Sequence, residues 1–157
     1  MTTVTRSSTT TIAASPETVW SELDAGFLDI AAWAGGVRSS VANPATPDGL
    51  NGSAQGGRIC DVEGIGETDE RIVAFDGEAR SLTYSVKASG LPFFVEGLRN
   101  TWTVRDDGHG GVSVDVEIQG ILTGVVGKVG AFPLGRMLGK AAVGLPGDLK
   151  AHIERVA

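Results

Sequence analysis

Few residues in this chain have the type and spacing for covalent or acid–base chemistry. The only cysteine is Cys60 and the only histidines are His109 and His152, and no two of them are neighbours in sequence. His109 sits inside Asp107-Gly108-His109-Gly110-Gly111, a turn composition, and His152 lies near the chain end, so both read as solvated residues rather than general bases. Cys60, with no histidine near it, reads as a small buried side chain and not a reactive thiol. Gly64-Ile65-Gly66 is a lone GxG between two strand-like stretches, which points to a turn rather than a phosphate cradle. There is no nucleophile elbow, no His-Glu-x-x-His, no P-loop and no zinc-spaced Cys/His set. No cofactor and no metal are expected, and no catalytic residue can be named.

The polar residues that remain lie on strand-like segments. Along Asp69 to Phe75, Arg71 shares a phase with Val73 and Phe75, while Glu70, Ile72 and Ala74 share the other. A large aromatic favours the interior, so Phe75 carries Arg71 inward, where its guanidinium needs a carboxylate or a ligand oxygen. The alternative is an exposed Arg71 paired with Asp69 or Glu63. Trp102 shares its phase with Asn100 and Val104, so an inward Trp102 brings a buried amide with it. The partner of that amide is either a ligand oxygen or water in a cavity, or backbone in a packed core. Arg58, Glu63 and Tyr84 are further candidates for the same wall. Trp33 is open between core and ligand contact, and Trp20 reads as core.

The elements that would position these residues are legible from pattern. The Thr-rich stretch Val4 to Ala14 suits a strand. Ser15-Pro16-Glu17 supplies an N-cap, a proline at the first helical position and an acid in the first turn. A short helix starts there, and Phe27 to Trp33 form a second that stops at Gly35-Gly36. From Val37 the period becomes two, and six strands are predicted at about Val37 to Asn43, Gly57 to Glu63, Glu67 to Asp76, Ser81 to Ser89, Leu98 to Asp106 and Val112 to Leu122. Asn43 to Gly56, with two prolines, Asp48-Gly49 and Asn51-Gly52, is a long loop expected to border a pocket mouth. Leu134, Leu138, Ala141, Leu145, Leu149, Ile153 and Val156 form the stripe of a closing amphipathic helix that starts near Leu134 and bends near Pro146. Leu138 on that stripe faces the cavity.

Charge and composition exclude several functions. The chain has 157 residues, 41% of them apolar and 20% charged, which suits one folded unit over residues 1–157. Its net charge of −6 and lack of a basic cluster argue against nucleic acid. The apolar run Gly120 to Leu134 is broken by Lys128 and Pro133, so no membrane span is expected. One cysteine and no basic-then-apolar leader fit a cytoplasmic protein. Monomer and homodimer both stay open.

Strand, two short helices, six antiparallel strands and a long last helix make an α+β arrangement in which that helix covers the buried face of the sheet. Ser15-Pro16-Glu17-Thr18-Val19-Trp20, Trp33, Gly56-Gly57-Arg58, Glu70-Arg71-Ile72-Val73-Ala74-Phe75-Asp76, Leu82-Thr83-Tyr84, Thr101-Trp102-Thr103-Val104 and the Leu145-to-Glu154 end resemble the bacterial polyketide cyclase/dehydrase-like branch of the START-like (SRPBCC) superfamily. The resemblance implies a helix-grip fold, a seven-stranded antiparallel sheet wrapped around the C-terminal helix with a cavity for lipids, polyketides or other hydrophobic molecules. The chain departs from that pattern in its long loop 43–56 and in the glycine-rich stretch 123–139, both expected to shape the cavity entrance. Because the fold does not fix the chemistry, three functions compete. One is binding of a small hydrophobic ligand by Arg71, Tyr84, Asn100, Trp102, Trp33, Phe75, Arg58 and Leu138. The second is aromatase/cyclase or dehydratase chemistry in which Arg71, Tyr84 or Asn100 polarises a carbonyl. The third is a protein-interaction module using the glycine-rich stretch.

Overall fold

The Thr-rich start of the chain forms β1 (Thr2–Ile12), and Ser15 then caps α1 (Pro16–Leu23) by accepting a hydrogen bond from the Thr18 N–H at 3.1 Å. A computed structural model describes residues 2–156, the side chains of residues 125–128 excepted. Gly26 separates α1 from a short 3₁₀ helix (Phe27–Ala32), whose Phe27 and Ile30 are buried. Six strands follow: β2 (Val37–Ala42), β3 (Gly57–Val62), β4 (Gly66–Asp76), β5 (Ser81–Ala88), β6 (Val95–Asp106) and β7 (Val112–Leu122). Every pairing is antiparallel, and the sheet order is β1-β7-β6-β5-β4-β3-β2. The meander thus runs outward from β7 to the edge strand β2, and β1 closes its other side.

Alternation sets which face is covered. In β7, Val112, Val114, Val116, Ile118 and Leu122 are buried while Asp115, Glu117 and Gln119 face away; β6 buries Leu98, Asn100, Trp102 and Val104. The helix α2 (Gly124–Val156) lays Leu134, Leu138, Ala142, Leu149 and Ile153 against that face. It begins ten residues before the expected Leu134, because the glycine-rich stretch is helical. Gly130 shows why a small residue stands there, since a Cβ would come within 2.3 Å of the Phe94 ring.

Pro133 and Pro146 both lie inside α2, which is continuous through them. Pro146 has no N–H, so the Ala142 carbonyl loses its helical donor. The Ser8 hydroxyl of β1 donates to that carbonyl instead. The missing helix bond is thereby replaced by a tie between helix and sheet.

In β4 the register slips between Ile72 and Ala74, a β-bulge. Thr68, Glu70 and Ile72 are buried before it, whereas beyond it Phe75 packs against the core and pairs with Leu82. The loop 43–56 is held by Asn43, whose side-chain amide donates to Asp69 Oδ1 at 2.9 Å and the Glu70 carbonyl at 3.3 Å. No helix among the described residues is long and apolar enough to cross a membrane.

Candidate functional site

Between α2 and the sheet lies a cavity of about 320 Å³, at the small end of the range for ligand pockets. Met137, Leu138, Ala141 and Leu145 of α2 form one wall. Val86, Leu98 and Ile118 form the strand wall opposite, and Ile65 reaches in from the Gly64-Ile65-Gly66 turn. Six polar residues interrupt this apolar surface: Arg58, Thr68, Glu70, Tyr84, Asn100 and Asp148. Asp148 accepts from the Gly35 N–H at 3.0 Å, and the other five fall into two groups.

The first is a closed ion pair. Gly57 precedes Arg58 where β3 crosses β4 so tightly that a Cβ would stand 2.3 Å from the Glu70 carbonyl oxygen. Arg58 and Glu70 are cross-strand partners, and Arg58 Nε donates to Glu70 Oε1 at 2.8 Å with side-chain exposures of only 4% and 7%. Thr68 Oγ1 donates to the other oxygen, Glu70 Oε2, at 2.7 Å. Arg58 Nη1 donates to the Phe27 carbonyl at 2.6 Å, and the guanidinium carbon lies 3.9 Å from the Phe27 ring centre and 4.8 Å from that of Tyr84. Burial pulls the Arg58 pKa down, but the charge of the adjacent Glu70 carboxylate leads the opposing effects and the net direction is up. The pair is charged, and both Glu70 oxygens are engaged.

The second group is open. Asn100 Nδ2 donates to the Tyr84 hydroxyl at 3.0 Å. Asn100 is 7% exposed, and its Oδ1 has no hydrogen-bond partner among the described residues. A buried carbonyl oxygen without a donor costs about 1–3 kcal/mol. Tyr84 is also buried, and burial raises its pKa, so its hydroxyl stays protonated and can donate.

The expected site residues therefore separate. Arg58, Tyr84, Asn100 and Leu138 meet on the wall of one cavity. Trp33 and Trp102 do not line it; they stack edge to face at 6.1 Å beside a void of about 10 Å³ that Arg58 and Tyr84 also border, room for about one water. Phe75 packs on Trp20 at 5.5 Å, away from the cavity. Arg71 points outward: its side chain is 47% exposed and bonded to Asp69 at 3.0 and 3.1 Å. The inward placement of Arg71 fails because the bulge between Ile72 and Ala74 breaks the phase that tied it to Phe75. For the same reason Glu70, on the phase opposite to Phe75 in sequence, faces the cavity together with Thr68. Arg58 directly opposite Glu70 was the signal that could have found them. The loop 43–56 does not line the cavity. Glu63 is not on its wall either.

Cys60 is buried, and burial pushes its thiol up to about 11. His109 is exposed in its turn, and His152 lies 3.6 Å from Glu22 at the far end of α2. Among the described residues no group of three or more His, Cys, Asp or Glu is placed to hold a metal.

A curved antiparallel sheet gripping a long C-terminal helix defines the START-like helix-grip class. The chain belongs to the family described as polyketide cyclase / dehydrase and lipid transport, whose profile matches residues 1–155. A START superfamily protein from Mycobacterium smegmatis superposes with a TM-score of 0.75 at 14% identity, covering 98% of this chain and 99% of that one. The Zhui aromatase/cyclase from Streptomyces sp. R1128 gives 0.74 at 16% identity over 98% and 95% of the two chains. A norcoclaurine synthase point mutant from Thalictrum flavum, in complex with a transition-state analogue, gives 0.70 at 17% identity over 98% and 96%. At these identities the likeness is one of fold. No curated protein matches the chain by sequence.

Proposed function

We propose that the protein binds a small, mainly apolar, lipid- or polyketide-like molecule in the cavity between α2 and the sheet. The reading is carried by the Asn100 amide oxygen, buried and unpartnered in a residue that borders an otherwise apolar cavity of about 320 Å³. A ligand hydroxyl would donate to that oxygen and could accept from the Tyr84 hydroxyl, so the preferred ligand carries one such group on an apolar frame. Binding is favoured over turnover because, of the two carboxylates on the wall, Glu70 is held by Arg58 and Thr68 and Asp148 accepts a hydrogen bond from the Gly35 N–H at 3.0 Å.

The test compares 2-naphthol with naphthalene by quenching of tryptophan fluorescence. Native protein should bind both saturably. Asn100→Leu keeps the volume and removes the acceptor, so 2-naphthol should bind roughly 2- to 10-fold more weakly and naphthalene as before. Absence of saturable binding by the native protein would overturn the ligand reading. An equal change for both probes would overturn the role of Asn100.

A further inference from the structure

The buried stripe of α2 has an opposite face that none of the described residues covers. At about 100° per residue, Val143, Arg136, Val129 and Lys140 all fall within about 80° of Phe132, across the helix from the buried Leu138 and Leu149. Val129 is 78% exposed, Phe132 73% and Val143 65%. Arg136 and Lys140 are exposed, and neither forms an ion pair among the described residues. Phe93 joins the same end of the helix. It is 86% exposed and stands edge-on to Phe94 at 5.6 Å, Phe94 lies on Gly130, and the Phe94 carbonyl accepts from the Thr123 N–H at 2.9 Å.

Charge says what this face suits. Residues 118–147 contain Lys128, Arg136 and Lys140 and no acid, so all 19 Asp and Glu of a chain with net charge −6 lie elsewhere. An anionic surface would repel the body of the protein and attract this one face. Its apolar side chains lie beside long cationic ones, so their entry into a bilayer interface would let Arg136 and Lys140 reach up to the headgroups.

We propose that the outer face of α2, with Phe93, docks the protein on an anionic lipid bilayer. Phe93, Val129 and Phe132 enter the headgroup region, and Arg136 and Lys140 meet lipid phosphates. Met137, which lines the cavity and is 40% exposed, follows Arg136 directly, so docking sets the cavity wall beside the bilayer. The inference stands on surface residues and does not depend on the cavity being occupied.

Flotation of the full chain with vesicles tests it. The protein should float with phosphatidylcholine–phosphatidylglycerol vesicles, not with phosphatidylcholine alone, and be released by high salt. Phe132→Ser, and Arg136→Glu with Lys140→Glu, should each weaken binding roughly tenfold or more. Val41→Ser, exposed on β2 at the far edge of the sheet, should float like the parent. Melting temperatures of all variants should match the parent, which separates lost docking from unfolding. No flotation of the parent, equal flotation with both vesicles, or variants that float like the parent would overturn the proposal. So would a co-purifying protein retained through Phe132 by a chain that does not float.

Discussion

Two arginine–carboxylate pairs meet on β4 and occupy opposite faces of the sheet, Arg58–Glu70 bridging β3 and β4 and Arg71–Asp69 lying along β4 itself. Arg58–Glu70 has an N–O distance of 2.8 Å and Arg71–Asp69 one of 3.0 Å, yet side-chain exposures are 4% and 7% for the first and 47% and 41% for the second. Near-equal distances in different media have different consequences. In water an ion pair is screened and contributes little. Inside the cavity wall the charges of Arg58 and Glu70 compensate each other, and removing one partner leaves the other buried and unpaired. The inner pair constrains the fold, while the outer one decorates it.

The largest effect expected from breaking this contrast is at Glu70. Glu70→Leu strands the Arg58 guanidinium in the core and should cost about 3–5 kcal/mol, read as a shift in the urea midpoint. A loss no larger than that of a surface substitution would mean that Arg58 reaches water. The double change Arg58→Met with Glu70→Leu removes both charges and should recover most of that loss. Double-mutant analysis of urea unfolding checks it, and additive losses would show that the two residues act separately.

Cys60 sharpens the comparison by reporting on the inner face. With its thiol pushed up to about 11 by burial, alkylation by iodoacetamide at pH 8 should be slow in the native protein and prompt in denaturant. The raised value also gives a sign: the stability it contributes is full below the unfolded thiol pKa and fades as pH climbs through about 11. Cys60→Ala should therefore flatten the alkaline side of the stability profile.

The smallest effect belongs to the outer pair. Arg71→Met should leave the melting temperature and ligand affinity unchanged. The hydrogen bond from Arg71 holds the Asp69 carboxyl below its usual range, so this variant should move the Asp69 titration upward by NMR. In the parent, the contribution of Asp69 is present above its unfolded pKa and lost as pH falls through the lower folded one. An Asp69 titration that does not move would show that the pair is not formed in solution.

Much of this architecture is legible from residue order. Ser15-Pro16-Glu17 marks the start of α1, the two-residue period of Val112 to Ile118 marks β7, and the leucine stripe marks α2. These signals are local: a cap, a pleat and a helical turn involve residues a few positions apart. Asn100 could be placed inward for the same reason, since it lies two residues from Trp102 on an unbroken strand.

What residue order alone determined, then, is the sequence of elements, the helix-grip class and the inward face of strands without irregularities. The face presented by Arg71 and Glu70 was decided in three dimensions, by one extra residue of β4 between Ile72 and Ala74. A bulge arises where two strands and the core beneath them disagree on register, and no periodicity within one strand contains that information. The helical state of residues 124–133 was decided the same way. Gly130, which weakens an isolated helix, becomes the contact that lets Phe94 approach α2 closely. Local chemistry wrote the elements, and contacts between residues far apart in the chain chose which arginine is buried.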